Sequence, residues 1–285
     1  MSVYPEAGDK PLLPRVHRTF RLAWPAGLKN AMFLKKAMPD ILLPAGFAFT
    51  VLILWELSVR LFDVPAFVLP GPLQFLSVLA SRFDAIAGMA LQTARSTIIG
   101  FAAGVTVGLT IGGIIGSSRS LYDMINPTLI GFNAIPSVAL IPLFVVWFGI
   151  GPHVAVLTSA MVCFFPVTVI VATAIAASSP ELDDVLRSLG ARKIDVLLKV
   201  SIPRAMPQFF GSIKIAITGA FIGTIVAETV AANSGIGYVM VVATNNMDVP
   251  LAFAGLIVLS AMGVFFYVAS RIIETRLTGW AYRRE

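Results

Sequence analysis

Hydrophobic residues in this chain come in long blocks, and polar residues are confined to short interruptions between them. Six blocks, at about 41–62, 91–116, 125–148, 154–177, 208–232 and 251–273, reach the roughly 20 residues that an α-helix needs to cross the apolar core of a bilayer. The pattern predicts an all-α, polytopic membrane protein with about six transmembrane helices, or five if the first block is atypical. Between the first two blocks, Pro65, Pro70, Gly71 and Pro72 signal a turn, and a short helix is expected near Leu73–Arg82. The second block carries Gly100, Gly104, Gly108, Gly112 and Gly113 at small-xxx-small spacing. Lipid supplies no hydrophobic force between helices, so such glycines act by letting backbones approach closely. The third block contains Pro127, Pro136 and Pro142, and the fourth Pro166. A helix break at membrane depth survives only against protein or a watery cavity. Pro136, Ser137 and Pro142 are therefore candidates for the wall of a pathway.

The one long polar interruption in the second half is 178–203, and it reads as two amphipathic helices in series. Ser179 suits an N-cap and Pro180 the first helical position, while Glu181, Asp183 and Asp184 place negative charge at the positive end of the helix dipole. Leu182, Val185, Leu186 and Leu189 share one face, and Gly190 is a C-terminal stop. The second helix sets Ile194, Leu197 and Leu198 against Arg192, Lys193, Asp195 and Lys199, and is expected to end before Pro203.

Composition sharpens the class. Of 285 residues, 57% are hydrophobic and 13% charged, with a mean hydropathy of +0.87; a soluble domain would have to bury nearly every block in one core. The single cysteine, Cys163, excludes an intrachain disulfide and reads as a packing thiol. Charge predicts the orientation. With both ends inside, 17 of the 21 Lys and Arg fall on the cytoplasmic side, including seven in the first 38 residues, and the loops 149–153 and 233–250 have none. The expected organisation is a basic cytoplasmic tail (1–38) lying against anionic headgroups, a membrane domain (39–277) and a short cytoplasmic tail (278–285). The N-terminal segment lacks the apolar core of a cleavable signal. A membrane tail explains its charge without nucleic acid.

Counting from Asp184, the interruption runs acid, two apolar residues, three residues, Gly190, nine residues, then Val200, Ser201, Ile202, Pro203. This spacing resembles the EAA loop of permease subunits in binding-protein-dependent ABC importers, with Asp for Glu and with Val185 and Leu186 for the alanines. The resemblance covers most of Leu42 to Arg276, and the runs AIPSVALIPLFVVWFGIG (134–151) and AETVAANSGIGYVM (227–240) look like the branch that imports nitrate, sulfonates, taurine and related solutes. It implies a bacterial inner-membrane protein whose stretch Glu181–Val200 docks in a cleft of a separate ATP-binding subunit. Leu182, Leu186 and Leu189 would fill the cleft, Glu181, Asp183, Asp184 and Arg187 would make polar contacts, Gly190 would turn the chain, and Pro203 would return it to the membrane. It also implies a second copy of the chain, a substrate-binding protein outside, and ATP and Mg held by the partner.

Two ionisable residues lie inside the fifth block. A carboxylate at membrane depth is costly and marks a functional position by default; Glu228 is expected to pair with Arg95, line the pathway or serve an outer gate. Lys214 is expected to snorkel to the headgroups or to offer positive charge to an exiting anion. Ser234, Gly235 and Gly237, in a loop just outside this block, are gate candidates. His17 and His153 stand apart from other metal ligands. No Gly-x4-Gly-Lys-Ser/Thr loop or nucleophilic set is present, so the chain is expected to hold no cofactor and not to be an enzyme. The competing expectation is an ion-coupled secondary transporter, which calls for an inverted repeat and paired midplane charges.

Overall fold

The computed structural model describes residues 26–133, 135–177, 185–186 and 188–278. The chain divides into two units, Met1–Leu54 and Trp55–Glu285. Helix α1 (Ala26–Leu61) begins well before the expected first span, so part of the basic tail is helical. The described part of the first unit is this helix as far as Leu54, and its last turns, from Trp55, belong to the second unit. In the second unit follow α2 (Pro72–Ser81), α3 (Phe83–Gly116), α4 (Arg119–Asn133), a 3₁₀ turn (Ser137–Leu140), α5 (Ile141–Phe148), α6 (Pro152–Ala176), a four-residue helix α7 (Lys193–Val196), a π turn (Leu197–Ser201), α8 (Ile202–Ala231), α9 (Ile236–Asn245) and α10 (Val249–Thr278). Among the described residues there is no strand.

Five helices are long and apolar enough to cross a membrane, within Leu43–Leu61, Phe83–Gly116, Pro152–Ala176, Ile194–Ala231 and Val249–Arg276. The expected third span is instead a pair of helices bent by 79°, Arg119–Phe132 and Ser137–Phe148, and counts as a sixth only if the two are taken together. The break falls where Pro136 caps the 3₁₀ turn and Pro142 enters the first turn of α5. Each proline removes a backbone donor and crowds the preceding turn. Pro127, Pro166 and Pro207 sit inside continuous helices.

The centre is built from α3, α6 and α8. The glycine stripe of α3 lies on α6 over its whole length: a methyl at Gly100 would lie 2.5 Å from Ser159 Cβ, and one at Gly112 2.7 Å from the Thr168 carbonyl. At Gly104 it would run into the Ala160 carbonyl, with Cys163 Sγ at 2.7 Å. Gly113, which the spacing included, faces open space, and Gly116 takes the last place on the seam. Cys163 is fully buried there, and its thiol donates to the Ser159 carbonyl at 2.8 Å. The other face of α8 packs on α10, with Phe221 against Phe266.

Helix α2 is held at both ends. Glu56 Oε2 accepts the Leu73 N–H at 3.1 Å, an orphan donor of the first helical turn, while Oε1 accepts from Arg60 Nε at 2.7 Å. A side chain at Gly71 would press on that carboxylate. Beside it, Trp55, Phe75 and Phe253 join the end of α1, α2 and α10 in one aromatic cluster.

Candidate functional site

The candidate residues gather at the two ends of α8, whose 30 residues span about 45 Å at 1.5 Å per residue. At its start is the elbow around Gly190. Glu181, Leu182, Asp183, Asp184 and Arg187 lie outside the described residues. Of the rest, Val185, Leu186 and Ser188 are helical, and Gly190 has φ +88°, a left-handed conformation that costs a side chain dearly. The Ala191 N–H reaches back to the Leu186 carbonyl at 3.0 Å, the long hydrogen bond of a Schellman cap, so Gly190 closes the first helix as its position suggested.

The second helix does not end before Pro203. Its backbone runs from Lys193 through the π turn into α8 without a break, and Pro203 lies in the first turn of α8. A proline lacks the N–H that would bond four residues back and crowds that carbonyl. Widening the preceding turn to π geometry takes up both defects. Asp195 and Lys199 pair on this segment at 2.9 Å. Apolar side chains stand out on both sides of the turn: Val185, Leu189, Ile194 and Leu198 are exposed, Leu189 at 79%. Leu186, Gly190, Ala191, Val196 and Val200 line a shallow groove between them.

At the far end of α8, Glu228 is only 2% exposed. Its Oε2 accepts the Thr93 hydroxyl at 2.9 Å and the Gly237 N–H at 3.1 Å, and Thr93 Oγ1 itself accepts the Ile236 N–H at 2.9 Å. A hydroxyl has one proton to give, so Thr93 passes the pull of the carboxyl on to a second backbone amide. Ile236 and Gly237 open α9, where N–H groups have no partner within the helix and the helix dipole favours an acidic group. Glycine is required beside this carboxyl. A side chain at Gly235 (φ +98°) would overlap the Glu228 carboxyl, and one at Gly237 would lie 2.8 Å from Glu228 Cβ. Gly151 N–H donates to the Ala231 carbonyl at 3.3 Å, bringing in the start of α6. Glu228 Oε1 and Ser234 Oγ are buried without a hydrogen-bond partner.

Glu228, Gly235 and Gly237, named separately from the sequence as pathway or gate candidates, lie in contact in the structure. The pair with Arg95 is not formed: Arg95 is exposed on α3, two positions from Thr93, because one helical face cannot carry both. Residues 236–245 are a helix, not the loop expected; ten residues are too few for a span, and the flanking glycines masked the periodicity. Thr93 was missed, since one threonine in an apolar helix carries no signal of its own. Lys214 reaches Glu274 Oε2 of α10 at 3.6 Å and lies 5.5 Å over the Tyr267 ring, rather than only extending to headgroups. Pro136 and Pro142 are exposed and Ser137 is half-buried; the break is tied in by Ile141, fully buried against Val154, Ala155, Ala227 and Ala231.

Residues 104–279 match the family model described as binding-protein-dependent transport system inner membrane component. The chain is 31% identical over 274 residues to the riboflavin transport system permease protein RibX of Chloroflexus aurantiacus, covering 94% of this chain and 95% of that one. It is 29% identical over 247 residues to the putative aliphatic sulfonates transport permease protein SsuC of Bacillus subtilis, covering 85% and 87%. Among solved structures, a chain of the MetNI methionine ABC transporter in an inward-facing conformation superimposes with a TM-score of 0.57 at 18% identity, over 65% of this chain and 93% of that one.

Proposed function

The chain belongs to the binding-protein-dependent transport system inner membrane components and is a permease of an ABC importer; from that premise we propose how it assembles and what it carries. The Gly190 elbow lies in the cytosol and docks in a cleft of an ATP-binding subunit, which holds the ATP and Mg that drive the cycle. Both chain ends are cytoplasmic, in a bacterial inner membrane. Two copies enclose the pathway, and a substrate-binding protein delivers the solute to the α9 end. ATP draws the two ATPase subunits together, the elbows follow, and the pathway exchanges inward for outward access. The ligand can shift this equilibrium only as far as its affinities for the two states differ.

The observation that supports this most is the elbow. Val185, Leu189, Ile194 and Leu198 are exposed around the Gly190 turn, in a stretch whose sequence is rich in charge. Burying one such side chain is worth about 1.5–3 kcal/mol, so a partner that covers several gains a firm hold. The solute is small and organic or inorganic, of the anionic kind that includes nitrate, sulfonates, taurine and aromatic acids. RibX, a permease named for riboflavin transport, widens the range to vitamins. Selection among these rests with the binding protein.

Reconstitution tests the reading. Wild-type permease, together with an ATPase and a substrate-binding protein that copurify with it, should give ATP-dependent uptake in proteoliposomes. Gly190→Asp should insert normally, yet lose the copurifying ATPase and at least tenfold of uptake. Uptake by the permease alone, driven by a proton or sodium gradient, would establish the secondary-transporter alternative instead.

A further inference from the structure

The carboxyl of Glu228 lies in a helix long and apolar enough to cross a membrane, with no basic partner among the described residues, and a charge left so is expensive. Three observations decide what it does. Both of its hydrogen bonds fall on Oε2, and one of them is to the first turn of α9. The second oxygen has no partner and faces no room: a single methyl at Gly235 would overlap the carboxyl. The Thr93 hydroxyl donates its one proton to Glu228 Oε2 at 2.9 Å, with the Met89 carbonyl a longer second acceptor at 3.3 Å, and gives a lone pair to Ile236 N–H. A cation would need several oxygens and space for them, and among the described residues no group of three or more His, Cys, Asp or Glu is close enough to hold a metal.

We infer that Glu228 is a positioning residue whose carboxyl, acting as a hydrogen-bond acceptor and not as a charge, latches the start of α9 to α3 through Thr93. The latch gathers α3, α8 and α9 at one point. It fixes where α9 lies after the chain reverses at Asn233–Gly235, a reversal that has no regular hydrogen bonds of its own to hold it. Ile236, one residue along, is fully buried in the core with Phe221 and Ala254, so moving the first turn of α9 would also disturb the packing of α10. That α9 forms part of the wall of a solute pathway rests on the permease reading above.

The test separates acceptor from charge. Full-length permease, in its complex with the ATPase, is compared as wild type, Glu228→Gln, Glu228→Ala, Thr93→Ser and Thr93→Val, by amide hydrogen exchange over residues 236–245 in nanodiscs and, with the binding protein added, by ATP-driven uptake in proteoliposomes. Glutamine keeps one carbonyl oxygen for both donors and places its NH2 where Oε1 has no partner. The latch predicts exchange within threefold of wild type for Glu228→Gln and Thr93→Ser, and at least tenfold faster for Glu228→Ala and Thr93→Val, with uptake in the same order. Thr93→Val keeps shape and volume, so its outcome stands even if Glu228→Ala does not fold. Equal exchange in wild type and Thr93→Val, or a Glu228→Gln protein as fast as Glu228→Ala, would overturn the latch. Exchange is read without transport. A wild-type complex that fails to import would therefore count against the permease reading, while the latch is judged on exchange alone.

Discussion

Asp248 has two partners of unequal worth. Its Oδ1 accepts the Leu251 N–H at 3.3 Å and so caps α10, and its Oδ2 accepts Arg82 Nη1 at 3.0 Å from the far end of α2. An N-cap is worth about 1 kcal/mol, whereas an ion pair with side chains 53% and 31% exposed is worth about 0–1 kcal/mol. Asp248→Ala should therefore lower the thermal midpoint in detergent more than Arg82→Ala, and Asp248→Asn, which keeps the cap, should fall near Arg82→Ala. The reverse order would mean that the ion pair dominates. The two residues are 166 positions apart, and nothing in either neighbourhood points to the other. The same is true of Glu228 and Thr93: a costly carboxylate was legible in the sequence as a position that matters, but its partner was not.

Among the elements, the seam between α3 and α6 is set by the four-residue spacing of glycine. Four residues are slightly more than one helical turn, so Gly100, Gly104, Gly108, Gly112 and Gly116 form one inclined row along α3 that follows α6, while Gly113 turns away from it. Gly104→Leu should push the helices apart and cost at least the 1–3 kcal/mol typical of overpacking, seen as a large loss of monodisperse protein. Gly113→Leu should be tolerated. Equal losses at both positions would show that backbone flexibility matters here, not close approach. This seam was legible because glycine leaves a periodic mark. The continuous path from α7 into α8 was not: Pro203 reads as a stop, and only the π turn before it shows how the helix continues.

For the molecule as a whole, the two candidate regions lie at opposite ends of α8, with the latch at one end and the elbow at the other. Their sidedness can be read with the chain's own chemistry, because Cys163 is its one cysteine and is fully buried. Wild-type protein should take up almost no membrane-impermeant maleimide. Leu189→Cys should be labelled only in inside-out vesicles, and Asn246→Cys, in the exposed turn after α9, only in intact spheroplasts. Labelling of Leu189→Cys from outside would reverse the topology and remove the elbow from reach of any cytosolic ATPase.

Segregation of apolar and polar residues is a local property, written into each stretch by the bilayer's demand for about 20 apolar residues. The helical class, five of the six expected spans and the glycine stop at the elbow all follow from such stretches. Contacts between distant stretches follow from packing instead. Tertiary structure alone decided how sharply the proline-broken span bends, that 236–245 is helical, and that Glu228 turns to Thr93 and not Arg95. Each depends on which faces meet once the helices are assembled, and a backbone amide that needs a partner leaves no trace in the order of the residues.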